Sequence, residues 1–250
     1  MDGPRSRVEA VARLLLYAAC LAVPVRASVG QVDQLVRIES DGWILVGNLL
    51  VPGVHEPPPA VLMLNQAAGN REAYDRLARE LASRGIGSLR LDLRGHGEST
   101  NLGPFVPGEL SMDPKIWDAE RDIIAALGFL KQNPNIDSTR IAVVGASYSG
   151  EEMAEAGRLS GYEDAYVALS PGSFSDDSIG GMDASGQPWL FVVSAEERFL
   201  QEITAEVRSR SRTVELIILP GSAHATDLLS AHPSLPARIA VWLETVLLGA

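Results

Sequence analysis

Short runs of apolar residues recur along this chain and restrict its fold more than any other feature. Residues 60–64 read AVLML, without a polar side chain. A run of this length between turn-forming residues is typical of a β-strand that is covered on both faces of a sheet. Comparable strand-like runs predict further strands at residues 85–93, 140–144, 165–169, 189–193 and 214–219.

The segments between these runs have a different period. Apolar residues at helical spacing predict helices over residues 71–84, 115–131 and around 235–247. Strands that alternate with helices indicate a mostly parallel, doubly wound sheet. Two strand-like runs around Asp41-Gly42 add an N-terminal antiparallel hairpin. The 250 residues contain no internal repeat and no linker, so we expect one α/β domain over residues 28–250.

The N-terminal segment has the layout of a secretory signal peptide. Arg5 and Arg7 precede a largely apolar run over residues 14–25, and small side chains precede a cleavage site after Ala27. The apolar run is too short to span a bilayer. We expect residues 1–27 to be removed and the protein to be exported to the periplasm or the extracellular space, without stable membrane insertion. The alternatives are a lipid anchor on the single cysteine, Cys20, or an N-terminal helix packed on the domain.

The charge pattern disfavours several classes of protein. The formal net charge is −11 and no basic block is present, which argues against a nucleic-acid partner. After loss of residues 1–27 no cysteine remains for a disulfide or a thiol nucleophile. The sequence has no metal-ligand cluster and no phosphate-binding loop, so we expect neither a metal nor another cofactor. Nothing in it indicates the oligomeric state.

The segment GASYSG at residues 145–150 follows a predicted strand and precedes a predicted helix. This is the context of a nucleophile elbow, G-x-S-x-G, in which a strained turn exposes a serine hydroxyl. Ser147 takes the place of that serine, and Ser149 stands where the second glycine is usual. Taking Ser149 as the nucleophile would put the bulky Glu151 at a glycine position, so Ser147 is the candidate. The alternative is an ordinary turn of small residues.

A serine hydroxyl is a good nucleophile only when a base accepts its proton and an acid orients that base. His224 follows the last predicted strand and comes after Ser147 in the chain, which favours it as the base, with His232 as second choice. Glu197, just past the strand predicted at 189–193, is our choice for the acid. The alternatives are Glu196, Asp176 and Asp177.

The negative charge that develops on the substrate oxygen needs backbone N–H donors. Tyr148, directly after the candidate nucleophile, supplies one donor. The loop after the strand at 60–64 supplies the other, and Ala67 is our choice within it.

The candidate site residues and two further segments resemble those of the α/β-hydrolase family. Within this family, the likeness is to the dienelactone-hydrolase-like members and the small serine esterases. LDLRGHGES at residues 91–99 is similar to the family segment D-x-R-G-H-G-x-S, and LNQAAGNR at 64–71 is similar to its oxyanion loop. The resemblance covers residues 35–247. It implies an α/β fold with a mostly parallel sheet of about eight strands, no required cofactor and a structural role for His96.

The chain departs from the family pattern at three positions. Asn65 replaces the usual His, Ser149 replaces Gly, and Glu197 replaces the more common Asp. Larger members insert a lid where this chain has residues 170–186, which leave room only for a loop, so we expect an open site. Candidates to line its pocket are Phe105, Trp117, Tyr148 and Phe174.

We therefore expect an exported serine hydrolase that cleaves a small ester or thioester through an acyl-enzyme on Ser147. The same groups would also serve a peptidase or amidase, and the sequence does not distinguish these substrates. The three departures support a further alternative, a catalytically inactive binding protein of the same fold. The physiological substrate and the acyl-chain length are not indicated.

Overall fold

The computed structural model describes residues 31–108 and 113–249, and one sheet organises them. Its strands are β1 Val32–Ser40, β2 Trp43–Val51, β3 Ala60–Leu64, β4 Gly87–Asp92, β5 Ile141–Ala146, β6 Ala165–Leu169, β7 Trp189–Ser194 and β8 Val214–Leu219. They lie in the order β1-β2-β4-β3-β5-β6-β7-β8. β1 and β4 each pair antiparallel with β2, whereas the later neighbours are parallel. The predicted α/β fold with a mostly parallel, eight-stranded sheet is confirmed.

Helices connect the strands and cover both faces of the sheet. They are α1 Asp75–Ala82, α2 Pro114–Trp117, α3 Ala119–Gln132, α4 Tyr148–Ser160, α5 Asp176–Ser185, α6 Arg198–Arg210, α7 Asp227–Ala231 and α8 Leu235–Leu248, with a short 3₁₀ helix at Arg71–Tyr74. Within the described residues no helix has both the length and the apolar character needed to cross a bilayer.

The N-terminal hairpin follows from its turn residues. Asp41 has a φ of 49° and Gly42 a φ of 81°, and this pair of positive angles matches the right-handed twist of the two flanking strands. Asn101 fixes the turn from outside, because its side chain accepts from the Ile44 N–H and donates to the Gly42 carbonyl. The hairpin predicted around Asp41-Gly42 is present.

Successive residues of the central strands face opposite sides of the sheet, so each strand contributes to two cores. In β3, Leu62 belongs to the core under α3 to α6, while Val61 and Met63 belong to the core under α1 and α8. All three side chains are fully buried, and each contributes about 1.5–3 kcal/mol relative to an exposed position. This burial on both faces explains the apolar runs seen in the sequence.

Three sequence predictions need correction. The helix predicted over 71–84 is a 3₁₀ turn followed by α1, and the helix predicted over 115–131 is interrupted at Asp118. Residues 170–186, predicted as a loop, contain α5. The Ser175 hydroxyl caps α5 by accepting from the Ser178 N–H, which supports a helix in a segment rich in glycine and serine. The predicted signal peptide, with Cys20, lies outside the described residues.

Candidate active site

The predicted catalytic residues follow the carboxyl ends of three parallel strands. Ser147 follows β5, Glu197 lies three residues after β7, and His224 lies in the loop between β8 and α7. Because β5, β6, β7 and β8 pair in this order and all run parallel, these ends share one edge of the sheet. The loop that starts at Asn65 leaves β3 at the same edge.

Ser147 lies in the strained turn that a nucleophile elbow requires. Its φ is 53° and its ψ is −125°, a backbone conformation that residues other than glycine rarely adopt. The Ser147 N–H donates to the Leu169 carbonyl at 2.9 Å, and its carbonyl accepts from the Gly150 N–H at 2.9 Å. The side chain is half-buried, and among the described residues its hydroxyl has no hydrogen-bond partner. The hydroxyl is thus available to a substrate or to a base.

Gly145 and Ser149 approach each other closely on either side of the elbow. A Cβ atom at position 145 would lie 2.6 Å from the Ser149 carbonyl oxygen and 2.8 Å from the Gly150 nitrogen, so this position requires glycine. Position 149 accommodates a side chain. The fully buried Ser149 hydroxyl accepts from the Ala146 N–H at 2.8 Å and lies 3.0 Å from the Ala146 carbonyl. Ser149 therefore stabilises the turn and has no access to a substrate.

The close approach at Gly145 gives a test of the turn. We expect Gly145→Ala to lower the free energy of unfolding by about 2–3 kcal/mol, because backbone atoms must move to admit the methyl group. The matched control is Gly128→Ala in α3, where an added Cβ meets no atom within 4 Å. That change should raise stability by about 0.5–1 kcal/mol through helix propensity. Urea unfolding of both variants measures the difference, and equal stabilities would contradict the packing described for the elbow.

His224 and Glu197 are joined by a short hydrogen bond. The His224 Nδ1 lies 2.6 Å from the Glu197 Oε1. The His224 side chain is 45% exposed, whereas that of Glu197 is 10% exposed. An acceptor on Nδ1 holds the proton there and leaves Nε2 free to accept another, which is the tautomer that a general base needs.

Ser170 and Ser194 orient the Glu197–His224 pair through hydrogen bonds. The second carboxylate oxygen of Glu197 accepts from the Ser194 N–H at 2.9 Å and from the Ser170 hydroxyl at 2.8 Å. The Ser170 hydroxyl also accepts from the Ala225 N–H, and the Ser194 hydroxyl donates to the Ala223 carbonyl. Both residues that flank His224 are therefore fixed by groups that also orient Glu197.

The two predicted oxyanion donors have free N–H groups. Tyr148 is the first residue of α4, so its N–H has no partner within the helix. Within residues 31–108 and 113–249, neither this N–H nor that of Ala67 makes a hydrogen bond. Ala67 lies in the β3 loop, which turns at Ala68 with a φ of 58°.

Asn65 and Gln66 fix the loop that carries Ala67. The buried Asn65 side chain accepts from the Leu93 N–H at 2.8 Å and donates to the Gln66 carbonyl at 2.9 Å. The Gln66 side-chain oxygen accepts from both the N–H and the hydroxyl of Thr226, each at 2.8 Å. Gln66 thereby ties the oxyanion loop to the loop of His224. Sequence reasoning missed this link because nothing local relates residues so far apart.

His96 has a structural environment. It is buried, its Nδ1 lies 2.9 Å from the Arg94 carbonyl, and burial lowers the pKa of its imidazole. Its ring stacks on Phe105 at 4.8 Å and on Tyr148 at 5.7 Å between centroids. His96 thus packs against the residue whose N–H is a predicted oxyanion donor.

The alternative candidates for the acid and the base are not hydrogen-bonded to His224 or Ser147 in the part of the chain that the structure describes. Glu196 is exposed, and Asp176 forms an exposed ion pair with Arg210. Asp177 is exposed at the start of α5, and His232 ends α7. None of them makes a hydrogen bond to His224 or Ser147 among the described residues.

The four predicted pocket residues separate into two groups. Phe105 and Tyr148 are buried against His96 and belong to the core. Trp117 and Phe174 line a cavity of about 220 Å³ beside α4. Among the described residues, no group of three or more His, Cys, Asp or Glu side chains is placed to hold a metal ion.

This sheet order, with its antiparallel start, and a serine elbow after β5 define the α/β-hydrolase fold. No protein-family model matches the sequence, and no curated protein matches it. Many solved structures match in shape, and all of those described below are hydrolases of this fold.

Three solved structures illustrate the likeness. Est1E from Butyrivibrio proteoclasticus, solved with ferulic acid, has a TM-score of 0.70 at 18% identity, covering 86% of this chain and 100% of its own. A dienelactone hydrolase from Anabaena variabilis has a TM-score of 0.66 at 17% identity, covering 88% and 98%. An esterase from Pyrococcus furiosus has a TM-score of 0.67 at 17% identity, covering 88% and 92%. At these identities the likeness shows the fold, which is the one that the sequence resemblance implied.

Proposed function

We propose that this protein is a serine hydrolase that cleaves a small carboxylic ester or thioester. The observation that carries the proposal is the 2.6 Å hydrogen bond between His224 Nδ1 and Glu197 at the sheet edge where Ser147 occupies a strained turn. A nucleophile, a base and an orienting acid at the same edge of one parallel sheet are the arrangement that acyl transfer needs. The esterases and the dienelactone hydrolase among the structural neighbours support the same reaction class.

The reaction follows from the free groups of the site. His224 Nε2 accepts the hydroxyl proton of Ser147 as the Ser147 oxygen attacks the acyl carbon. The N–H groups of Ala67 and Tyr148 donate to the oxygen that becomes negative. The imidazolium, stabilised by Glu197, then gives its proton to the leaving alcohol or thiol. Water, activated by the same imidazole, releases the acid from the acyl-enzyme.

The absent hydrogen bond between Ser147 and His224 is compatible with this role. In ligand-free enzymes catalytic hydrogen bonds are often long and shorten when substrate binds. Hydrogen bonds hold the Ser147 backbone and the Ala225 N–H beside His224, so the turn and the histidine loop are both fixed in place. From the layout of residues 1–27 we also propose that the enzyme acts outside the cytoplasm.

A fluorophosphonate probe, which reacts with activated serines, tests the proposal. The wild-type protein should be labelled, and Ser147→Ala should lose the label completely because the attacking oxygen is gone. Ser149→Ala and Ser222→Ala are the controls and should retain it. Ser149 is buried in the turn, and Ser222 is exposed in the loop before His224. A folded wild-type protein that takes up no label would contradict the proposal and favour an inactive binding protein.

A further inference from the structure

A second feature beside the elbow is a cavity of about 220 Å³ that we call the acidic cleft. Its lining includes three glutamates of α4, Glu151, Glu152 and Glu155, and the aromatic residues Trp117 and Phe174. Among the residues that the structure describes, no arginine or lysine lines it. The cleft therefore combines three carboxyl groups with two aromatic rings.

Glu152 is the unusual member of the cleft. Its residue surface is only 6% exposed, and among the described residues its carboxyl group makes neither a hydrogen bond nor an ion pair. The other two glutamates have partners. Glu151 accepts from the Ser173 N–H at 2.6 Å, and Glu155 forms an ion pair with Arg158. Ionising a carboxyl group as buried as that of Glu152 is costly, and a cation in the cleft would offset that cost.

Two glutamates of the cleft have raised pKa values. Burial raises the pKa of Glu151 to about 7. Burial, together with the neighbouring carboxylates, of which Glu120 on α3 acts most strongly, raises the pKa of Glu152 to about 8. A bound cation would offset both effects by favouring the ionised carboxylates.

The cleft lies close to the reacting serine. Glu151 and Glu152 follow Ser147 by four and five residues on α4, which is about 6–8 Å along a helix axis. Ser173, which holds Glu151, belongs to the same loop as Ser170, which holds Glu197. A substrate whose carbonyl lies at Ser147 therefore needs only a short chain to place a substituent in the cleft.

We propose that the acidic cleft binds an alkylammonium group of the substrate, so that the enzyme prefers small esters with a positive charge a few bonds from the carbonyl. Carboxylates at one side and aromatic faces at the other are how proteins bind such cations. The volume suits an ammonium head and a few carbons rather than a whole substrate. This proposal rests on the serine hydrolase function proposed above.

A matched pair of esters tests the proposal with full-length protein in mildly alkaline buffer. 2-(Trimethylammonio)ethyl acetate and 3,3-dimethylbutyl acetate have the same shape and differ by one positive charge. We expect the wild-type kcat/KM to be at least about tenfold higher for the charged ester. Glu152→Gln should remove most of this preference. The control Glu202→Gln, which makes the same charge change at an exposed position on α6, should leave both rates unchanged. Equal rates for the two esters in the wild type would overturn the proposal and leave the hydrolase function standing.

A binding measurement tests whether the cleft binds a cation, independently of ester hydrolysis. Calorimetric titration of Ser147→Ala with tetramethylammonium chloride should show saturable binding. Adding Glu152→Gln should weaken it at least about tenfold, whereas adding Glu202→Gln should not change it. If neither ester is hydrolysed, the hydrolase proposal fails for these substrates and this titration still decides the cleft. No saturable binding, or binding that Glu152→Gln leaves intact, would overturn the proposal.

Discussion

Replacing His224 with glutamine is expected to lower kcat/KM for p-nitrophenyl acetate by about 10⁴- to 10⁶-fold, the upper figure being the scale seen when a catalytic base is removed from a serine hydrolase. Glutamine has a similar size, but its amide does not accept a proton from Ser147. The substitution also removes the 2.6 Å hydrogen bond between His224 Nδ1 and Glu197. The His224 side chain is nearly half exposed, so the change should leave the melting temperature close to that of the wild type.

The other histidines provide the controls for this measurement. His55→Gln makes the same substitution at an exposed position in a proline-rich loop and should retain full activity. His232→Gln tests the second sequence candidate, which ends α7 and does not contact Glu197. If His232→Gln removed activity while His224→Gln retained it, the assignment of the base would be wrong.

The three departures from the family pattern each have local partners in the structure. Asn65 bonds to the Leu93 N–H and to the Gln66 carbonyl, so it holds the oxyanion loop. Ser149 bonds to the backbone of Ala146 inside the turn. Glu197 reaches His224 with one oxygen while Ser170 and Ser194 hold the other. Each of the three residues therefore makes its contacts without the His, Gly or Asp that is more common at that position in the family.

The sequence was most informative where one local rule decides the structure. The bounds of β3, β6 and β8 match the predicted runs, because strands buried on both faces tolerate only apolar residues. The elbow was recognisable for a similar reason, since only small residues permit the approach of Gly145 to Ser149. Sequence pattern likewise placed His224 and Glu197 in loops at the carboxyl edge of the sheet, where they meet.

Other features depend on residues far apart in the chain and have no local pattern. Gln66 and Thr226 are separated by 160 positions, and only the folded sheet brings their loops together. The acidic cleft is similar, because Glu152 looks in sequence like an ordinary acid in the first turns of a helix. Its burial follows from the packing of α4 against α3 and α5.

Glu197→Gln is the second change with a large expected effect, about 10³–10⁴-fold in kcat/KM, although it alters only one atom of the side chain. The oxygen that accepts from the Ser194 N–H and the Ser170 hydroxyl must remain an acceptor, so the amide oxygen takes that place. The amide NH₂ then faces His224 Nδ1 and donates to it. The imidazole proton is thereby moved to Nε2, the atom that should accept the proton of Ser147. The site keeps its shape and loses its base.

The neighbouring acid isolates this tautomer effect from the loss of charge. Glu196→Gln removes the same charge one residue earlier, at an exposed position without contact to His224, and should change kcat/KM less than about twofold. Kinetics on p-nitrophenyl acetate for both variants, with ¹⁵N NMR of the imidazole, give rate and tautomer together. A Glu197→Gln protein with its proton still on Nδ1 and full activity would show that the carboxylate does not orient the base. A rate loss accompanied by a proton on Nε2 is the expected result and would show that the Glu197 carboxylate keeps the imidazole proton on Nδ1.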